Sequence, residues 1–491
     1  MSSVVDANIF NDFVEIVHVS NTDGAQALLP TITAKHDVIG LGASMESTLL
    51  CTTVTARSLP EDDASKRAPV DIVVALDVSG SMTGRKLDLC KDTIKLLLRE
   101  LSSQDRFGLV TFGDEANLEI PVRKLTKENK ESSLNKVKSL STQGCTNISG
   151  GIGLAARELT AVESPHEVRA VFLLTDGHAN RGVADKKGIV ELTKACLGSN
   201  DGQRSTAIHC FGYGSDHDQD VLSDISSAAE GGSYYFVDQD SDVSSAFGDA
   251  LGGVLSVVAQ NTVVKLKVPS EASGYGVSIS SVRHDKAVKQ ADGSYHIDIG
   301  DFYAEESRDI IVETSLSKEG RGEIKIPHIE ASISFLDTIQ KKMVADLTVI
   351  GSIARPEGTE VSRANLYVAL QCIRIQATEV MRTTEVLADS NQLEKAKSNI
   401  SDFIKLLTFE AAELGQSSSP MVVNLLLELN TISSGLSSRS EYQYTTSKYM
   451  KSKMTSHQQQ RCFAANEGSV DMYRSSRKGQ MSKKLKRLAK K

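Results

Sequence analysis

The chain has no tryptophan, and aromatic residues make up only 5% of its 491 positions. That scarcity argues against a stacking platform for carbohydrate or single-stranded nucleic acid, where rings supply the affinity. A basic excess is also missing. The formal net charge of −8 gives no general electrostatic case for nucleic acid. No C-x-x-C pair occurs among Cys51, Cys90, Cys145, Cys196, Cys210, Cys372 and Cys462, which excludes a zinc ribbon or RING finger on spacing. Their odd number and wide scatter fit reduced thiols of the cytosol or nucleus better than a disulfide framework. No apolar run reaches the roughly 18 residues that a membrane-spanning helix needs. The opening MSSVVDANIFNDFVEIVHVS is acidic and lacks the basic and continuous apolar regions of a secretory signal. The expected location is therefore cytoplasmic, with the nucleus as the alternative. There is no G-x-x-x-x-G-K-[ST], no G-x-G-x-x-G opening a helix and no G-x-S-x-G elbow. Nucleotide binding and serine-hydrolase chemistry thus lose their usual signatures.

What is present is organised around Pro69 to Met82, PVDIVVALDVSGSM. Its apolar, β-branched first half has the composition of a strand buried on both faces. From about 69 to 260, strand and helix patterns alternate, which implies a doubly wound, mostly parallel sheet with helices on both faces. Residues 1–68 are read as an N-terminal β segment, including strands at Val14 to Val19 and Ser47 to Ala56. Residues 261–353 lose the helical period and read as a β-sandwich, which the N-terminal strands would help to build. Residues 357–435 return to helix, with a stripe through Leu366, Leu370, Ile373, Ala377 and Met381. Residues 436–491 are polar and then basic, and read as a largely disordered, solvated tail. Leu485, Leu488 and Ala489 would give that tail a short amphipathic helix, and its cations could contact an acidic surface.

The chemistry-bearing residues cluster at strand ends. Asp77, Ser79 and Ser81 follow the first strand of the α/β region at alternate positions. Asp176 follows the strand Val168 to Leu174, and Thr146 lies in the polar loop Gly144-Cys145-Thr146-Asn147. Open α/β sheets place their ligands at this carboxyl edge. Hard oxygen donors suit Mg²⁺, with Mn²⁺ or Ca²⁺ as substitutes. Two converging carboxylates would repel unless a cation lay between them. The bland alternative is a polar strand-to-helix turn with a serine cap.

DVSGS, the G-x-T loop and TDG together resemble the metal-ion-dependent adhesion site of a von Willebrand factor A domain. That resemblance implies Ser79, Ser81 and Thr146 as hydroxyl ligands, and Asp77 and Asp176 as acids bound directly or through water. It also implies an open position filled by Asp or Glu of a partner protein, and no catalysis. Residues 291 to 316, ADGSYHIDIGDFYAEESRDIIVETSL, resemble the β-domain of plant A-domain/RING-finger ligases and related bacterial proteins. More weakly, the helical stretch with Ala388-Asp389-Ser390 and Ala396, followed by YMKSKMTSHQQQR, is similar to the C-terminal part of those proteins. With no RING cysteines present, ligase activity does not carry over. The function expected is a cation-dependent protein-binding scaffold that is not an enzyme. The alternatives are a metal-dependent hydrolase, in which the metal acts as Lewis acid, and a secreted adhesion protein. His178 is read as a loop residue at the metal rim, and Cys145 as a small packing residue.

Overall fold

A computed structural model describes residues 26–59, 67–176, 178–198, 206–214, 217–229, 231–237, 240–316, 325–461, 473 and 475–489. The candidate strand Val14 to Val19 lies outside these residues. The described chain opens with β1 (Leu28–Ala34) and β2 (Ser47–Ala56), whose further partners come much later in the sequence.

The α/β layer follows. Its strands are β3 (Val70–Asp77), β4 (Arg106–Phe112), β5 (Ala116–Lys124), β6 (Val168–Thr175), β7 (Ala207–Tyr213) and β8 (Ser233–Val237). They form a six-stranded sheet in the order β5-β4-β3-β6-β7-β8, parallel except at edge strand β5. Every residue of β3 and β6 is buried, as expected of central strands covered on both faces. The period-2 alternation decides which helix each side chain meets. Ile72, Val74 and Leu76 share a core with α1 (Arg85–Glu100) and α6 (Asp240–Val254). Val73 and Ala75 face α3 (Ile148–Thr160), α4 (Lys186–Leu197) and α5 (Gln219–Ser227). Helix α2 (Lys127–Ser139) packs beside α1 through Val137. Each fully buried Val, Leu or Ile here contributes about 1.5–3 kcal/mol.

Helix α6 stops at Val254 and a strand starts at Val257, so the sandwich begins a few residues before the boundary at 261 read from sequence. Gly252 and Gly253 weaken the helix end, and the β-branched pair Val257-Val258 favours extension. The remaining strands are β9 (Val257–Lys267), β10 (Ile279–Arg283), β11 (Ala287–Lys289), β12 (Tyr295–Tyr303), β13 (Ser307–Ser315), β14 (Ile326–Asp337) and β15 (Lys342–Ile353). A four-stranded sheet β1-β2-β13-β10 faces a five-stranded sheet β11-β12-β9-β14-β15. Leu50, Val54, Phe302 and Ile333 lie in their common core. The α/β layer is thus inserted between β2 and the rest of the sandwich. Helices α7 (Leu366–Asp389), α8 (Leu393–Glu413) and α9 (Pro420–Gly435) then pack into a bundle of their own.

The tail departs most from its sequence reading. After α9 come α10 (Arg439–Glu441), a π-helical turn (Tyr442–Thr446), α11 (Ser447–Gln459) and α12 (Ser476–Ala489). Helix α12 lies on α6, where Lys478, Ser482 and Leu485 are buried. Composition alone reads this segment as solvated, because its docking relies on one leucine, small residues and a buried ion pair. Lys478 Nζ lies 3.2 Å from Asp249 Oδ2. Gly248 permits the close approach, since a Cβ there would sit 2.6 Å from the Ser482 Cα. Gly248→Val is therefore expected to lift α12 off α6. Hydrogen exchange over 476–489 would accelerate by at least about tenfold while the six-stranded sheet stays protected. Unchanged protection of that helix would refute the packing argument.

Candidate metal centre

Strand β3 delivers Asp77 to the carboxyl edge fully buried. The chain then makes a 3₁₀ turn (Gly80–Met82), with Ser79 at its cap position, and enters α1 through Gly84 at φ 79°. Two other loops are sewn to this turn by main-chain bonds. Val78 N–H donates to Phe112 O at 2.9 Å, Gln143 N–H to Val78 O at 2.6 Å and Gly80 N–H to Gly144 O at 3.1 Å. Gly144 has φ 75°, and a Cβ there would lie 2.3 Å from Asp114 Oδ2, so the loop needs glycine. Thr146 N–H donates to Asn180 Oδ1 at 2.8 Å, and its carbonyl accepts from Asn180 N–H at 3.1 Å. The loop after β6 is thereby fastened to the loop carrying Thr146.

Four of the five candidate residues fall into one hydrogen-bonded chain. The Thr175 hydroxyl donates to Asp77 Oδ2 at 2.6 Å, and Ser79 N–H donates to Asp77 Oδ1 at 2.8 Å. The Ser79 and Ser81 hydroxyls are 3.0 Å apart. Ser81 Oγ donates to Asp176 Oδ1 at 3.0 Å. The fifth, Thr146, is buried on the neighbouring loop, and its hydroxyl makes no hydrogen bond among the described residues. Burial drives the Asp77 carboxyl up to about 6, against the hydroxyl of Thr175 and the bonds from Ser79. The nearby Asp176 charge adds to the rise.

Sequence reasoning missed three participants. Lys86, in the first turn of α1, places Nζ 2.8 Å from Asp176 Oδ2. Only the proximity of α1 to the end of β6, a tertiary fact, reveals it. Thr175 stands in the TDG motif itself and could have been singled out as a second hydroxyl at a strand end. Asn180 carries no sequence signal. His178 is exposed on the loop after β6, and Cys145 is half-buried, its N–H donating to Asp114 Oδ1 at 3.2 Å. Among the described residues no group of three or more His, Cys, Asp or Glu side chains could hold a metal. A cation at this edge would therefore depend on hydroxyl oxygens, and the donors assembled here are of that hard-oxygen kind.

A mostly parallel sheet flanked by helices, with acids and hydroxyls gathered at its carboxyl edge, defines the class of α/β domain to which this layer belongs. Residues 71–249 match the family model of the von Willebrand factor type A domain, and the chain carries a domain of that family. Residues 419–487 match a second family model, described as VWA / Hh protein intein-like. An Arabidopsis thaliana protein named E3 ubiquitin-protein ligase WAV3 is 28% identical over 252 residues, covering 51% of this chain and 31% of that protein. An uncharacterized Synechocystis protein is 25% identical over 263 residues, covering 52% of this chain and 60% of the other. The chain thus spans less than two thirds of either relative. The solved structure of a von Willebrand factor type A protein from Catenulispora acidiphila superposes with a TM-score of 0.60 at 16% identity. It covers 83% of this chain and 89% of that one, so the shared fold extends beyond the A domain. Domains of this family generally mediate protein–protein interaction. No described helix is long and apolar enough to cross a membrane.

Proposed function

We propose that this protein is a divalent-cation-dependent protein-binding scaffold and not an enzyme. Ser79, Ser81 and Thr146 would hold Mg²⁺ by hydroxyl oxygens, with Asp77 and Asp176 as the acids; Mn²⁺ or Ca²⁺ are the substitutes. The metal supplies a Lewis-acidic centre for an Asp or Glu presented by a partner. The rest is done by the chain itself. Thr175 and the Ser79 N–H orient the Asp77 carboxylate, and Ser81 orients Asp176. The main-chain bonds around Thr146 fix the third loop. The observation that carries the reading is the convergence of two buried carboxylates with a chain of hydroxyls, where Asp77 is held at a cost that a cation would relieve. A cytoplasmic setting accords with the six described cysteines, all free thiols.

The test is capture of partners by the intact protein from cell lysate, in Mg²⁺ and in EDTA, with Thr146→Ala in parallel. Partners lost in EDTA and in the variant support the reading. Partners indifferent to both overturn it.

Lys86 bears on affinity. Its ammonium is a tethered cation on Asp176, and it competes with any metal for that carboxylate. Lys86→Met should therefore tighten Mn²⁺ binding by roughly three- to tenfold in calorimetric titration. Weaker binding in this variant would show that the lysine supports the site instead.

A further inference from the structure

A cavity of about 510 Å³ opens where the A domain, the sandwich and the helical region meet. It shares no residue with the carboxyl-edge site. Its wall draws on the α5–β8 turn, the β10–β11 turn, the middle of β12, the start of β13, one face of α7 and the end of α11. Six of the lining side chains are cationic: Arg283, Lys286, Arg308, Arg374, Arg382 and Arg461. They come from four separate elements, so no single helix or strand accounts for the concentration.

The pairing of these charges is incomplete. Arg382 pairs with Asp285 at 3.2 Å, and Arg283 reaches Glu313 only at 4.0 Å. Arg308 and Arg461 share one carboxylate, Glu306, at 3.1 and 2.9 Å. Arg374 is held by the uncharged Gln371 Oε1 at 2.7 Å and the His457 carbonyl at 2.6 Å. Lys286 has no carboxylate within ion-pair distance among the described residues. The lining Asp309 already accepts hydroxyl bonds from Thr53 and Tyr367, each at 2.7 Å. Most telling, Arg308 is only 6% exposed, yet its Nε–H has no hydrogen-bond partner among the described residues. A buried guanidinium donor left open is costly, and it is the kind of group that an oxyanion satisfies.

From this we infer that the cavity binds a small molecule bearing a phosphate group, with Arg308, Arg374 and Lys286 around the anion. A guanidinium fork matches phosphate oxygens, and Lys286 adds a point charge at the rim. The volume falls in the range of about 300–1,000 Å³ typical of small-molecule sites, far more than bare phosphate fills. Val282, Ile299 and Ile375 in the same wall would receive the uncharged part of such a ligand. Because the wall spans three regions, occupancy would pin the helical region and sandwich to the A domain. This inference is independent of the metal reading.

The test uses the full chain in EDTA, which silences the metal site. Calorimetric titrations and thermal unfolding are run with inorganic phosphate, pyrophosphate, glucose 6-phosphate and inositol hexakisphosphate, with glucose as control. At least one organic phosphate should bind saturably, more tightly than inorganic phosphate, and raise the unfolding temperature. Lys286→Gln, at an exposed position, should weaken that binding by about fivefold, and Arg308→Lys by about tenfold or more. Absence of saturable binding by every probe overturns the inference. So does equal affinity for bare phosphate and the organic phosphates, or affinity unchanged in both variants.

Discussion

Replacing Asp77 by asparagine should weaken Mn²⁺ or Mg²⁺ binding by at least about 100-fold, on the order of 3 kcal/mol, and leave the fold intact. The substitution keeps the shape of the side chain and an oxygen for Ser79 N–H or the Thr175 hydroxyl. It removes the charge that a hard cation requires. Loss of that charge should not cost stability. The carboxylate is fully buried and, with Asp176 close by, its protonated form is favoured up to about pH 6. Calorimetry with Mn²⁺ measures the affinity. Thermal unfolding supplies the second readout: the wild-type midpoint should rise with metal by mass action, and the variant's should not. An unchanged Mn²⁺ isotherm would remove Asp77 from the proposed ligand set.

A second large effect concerns acid stability. His209 on β7 is fully buried against Phe172, at 5.2 Å edge-to-face, and neither ring nitrogen has a hydrogen-bond partner among the described residues. Burial lowers its pKa to about 3, helped by the positive charges of Arg461 and Lys478. The unfolded chain binds the proton near 6.5, whereas the fold resists it. The stability associated with neutral His209 is therefore complete above about 6.5 and lost as pH falls from there towards 3. Between pH 7.5 and 5 that loss is about 2 kcal/mol. His284 and His328, each lowered to about 4 mainly by burial, act in the same direction. His209→Phe should remove only its own share, so the variant should lose about 2 kcal/mol less than wild type over this interval. Urea unfolding at the two pH values measures it, and identical pH dependence in both proteins would refute the assignment.

The parts of the fold legible in the sequence were those in which one physical signal dominated. β3 and β6 carry unbroken apolar runs, Ile72 to Leu76 and Ala170 to Leu174, because both of their faces are covered. Asp77 and Asp176 stand out because a carboxylate directly after such a run has few structural uses. Legibility failed where docking depends on partners remote in sequence. Helix α12 shows a basic, solvent-like composition, and its burial rests on the small residues of α6. β15 shows little alternation, and Asp346 interrupts it with φ 55°. Lys86 was invisible because its carboxylate belongs to another strand. The wall of the large cavity is assembled from six separated stretches, none with a motif of its own.

The insertion of the α/β layer into the sandwich also sets an order of events during synthesis. Strand β2 pairs with β13, and Thr55 and Ser307 in that ladder are 252 residues apart. Everything needed for the six-stranded sheet lies between them and leaves the ribosome first. Closing so long a loop is entropically unfavourable until the intervening chain is compact. The inserted layer, once folded, brings the ends of its own chain together and shortens that closure. The β1–β2 hairpin must meanwhile wait with an unpaired edge, so nascent chains stalled before β13 should be the species most prone to strand-mediated aggregation.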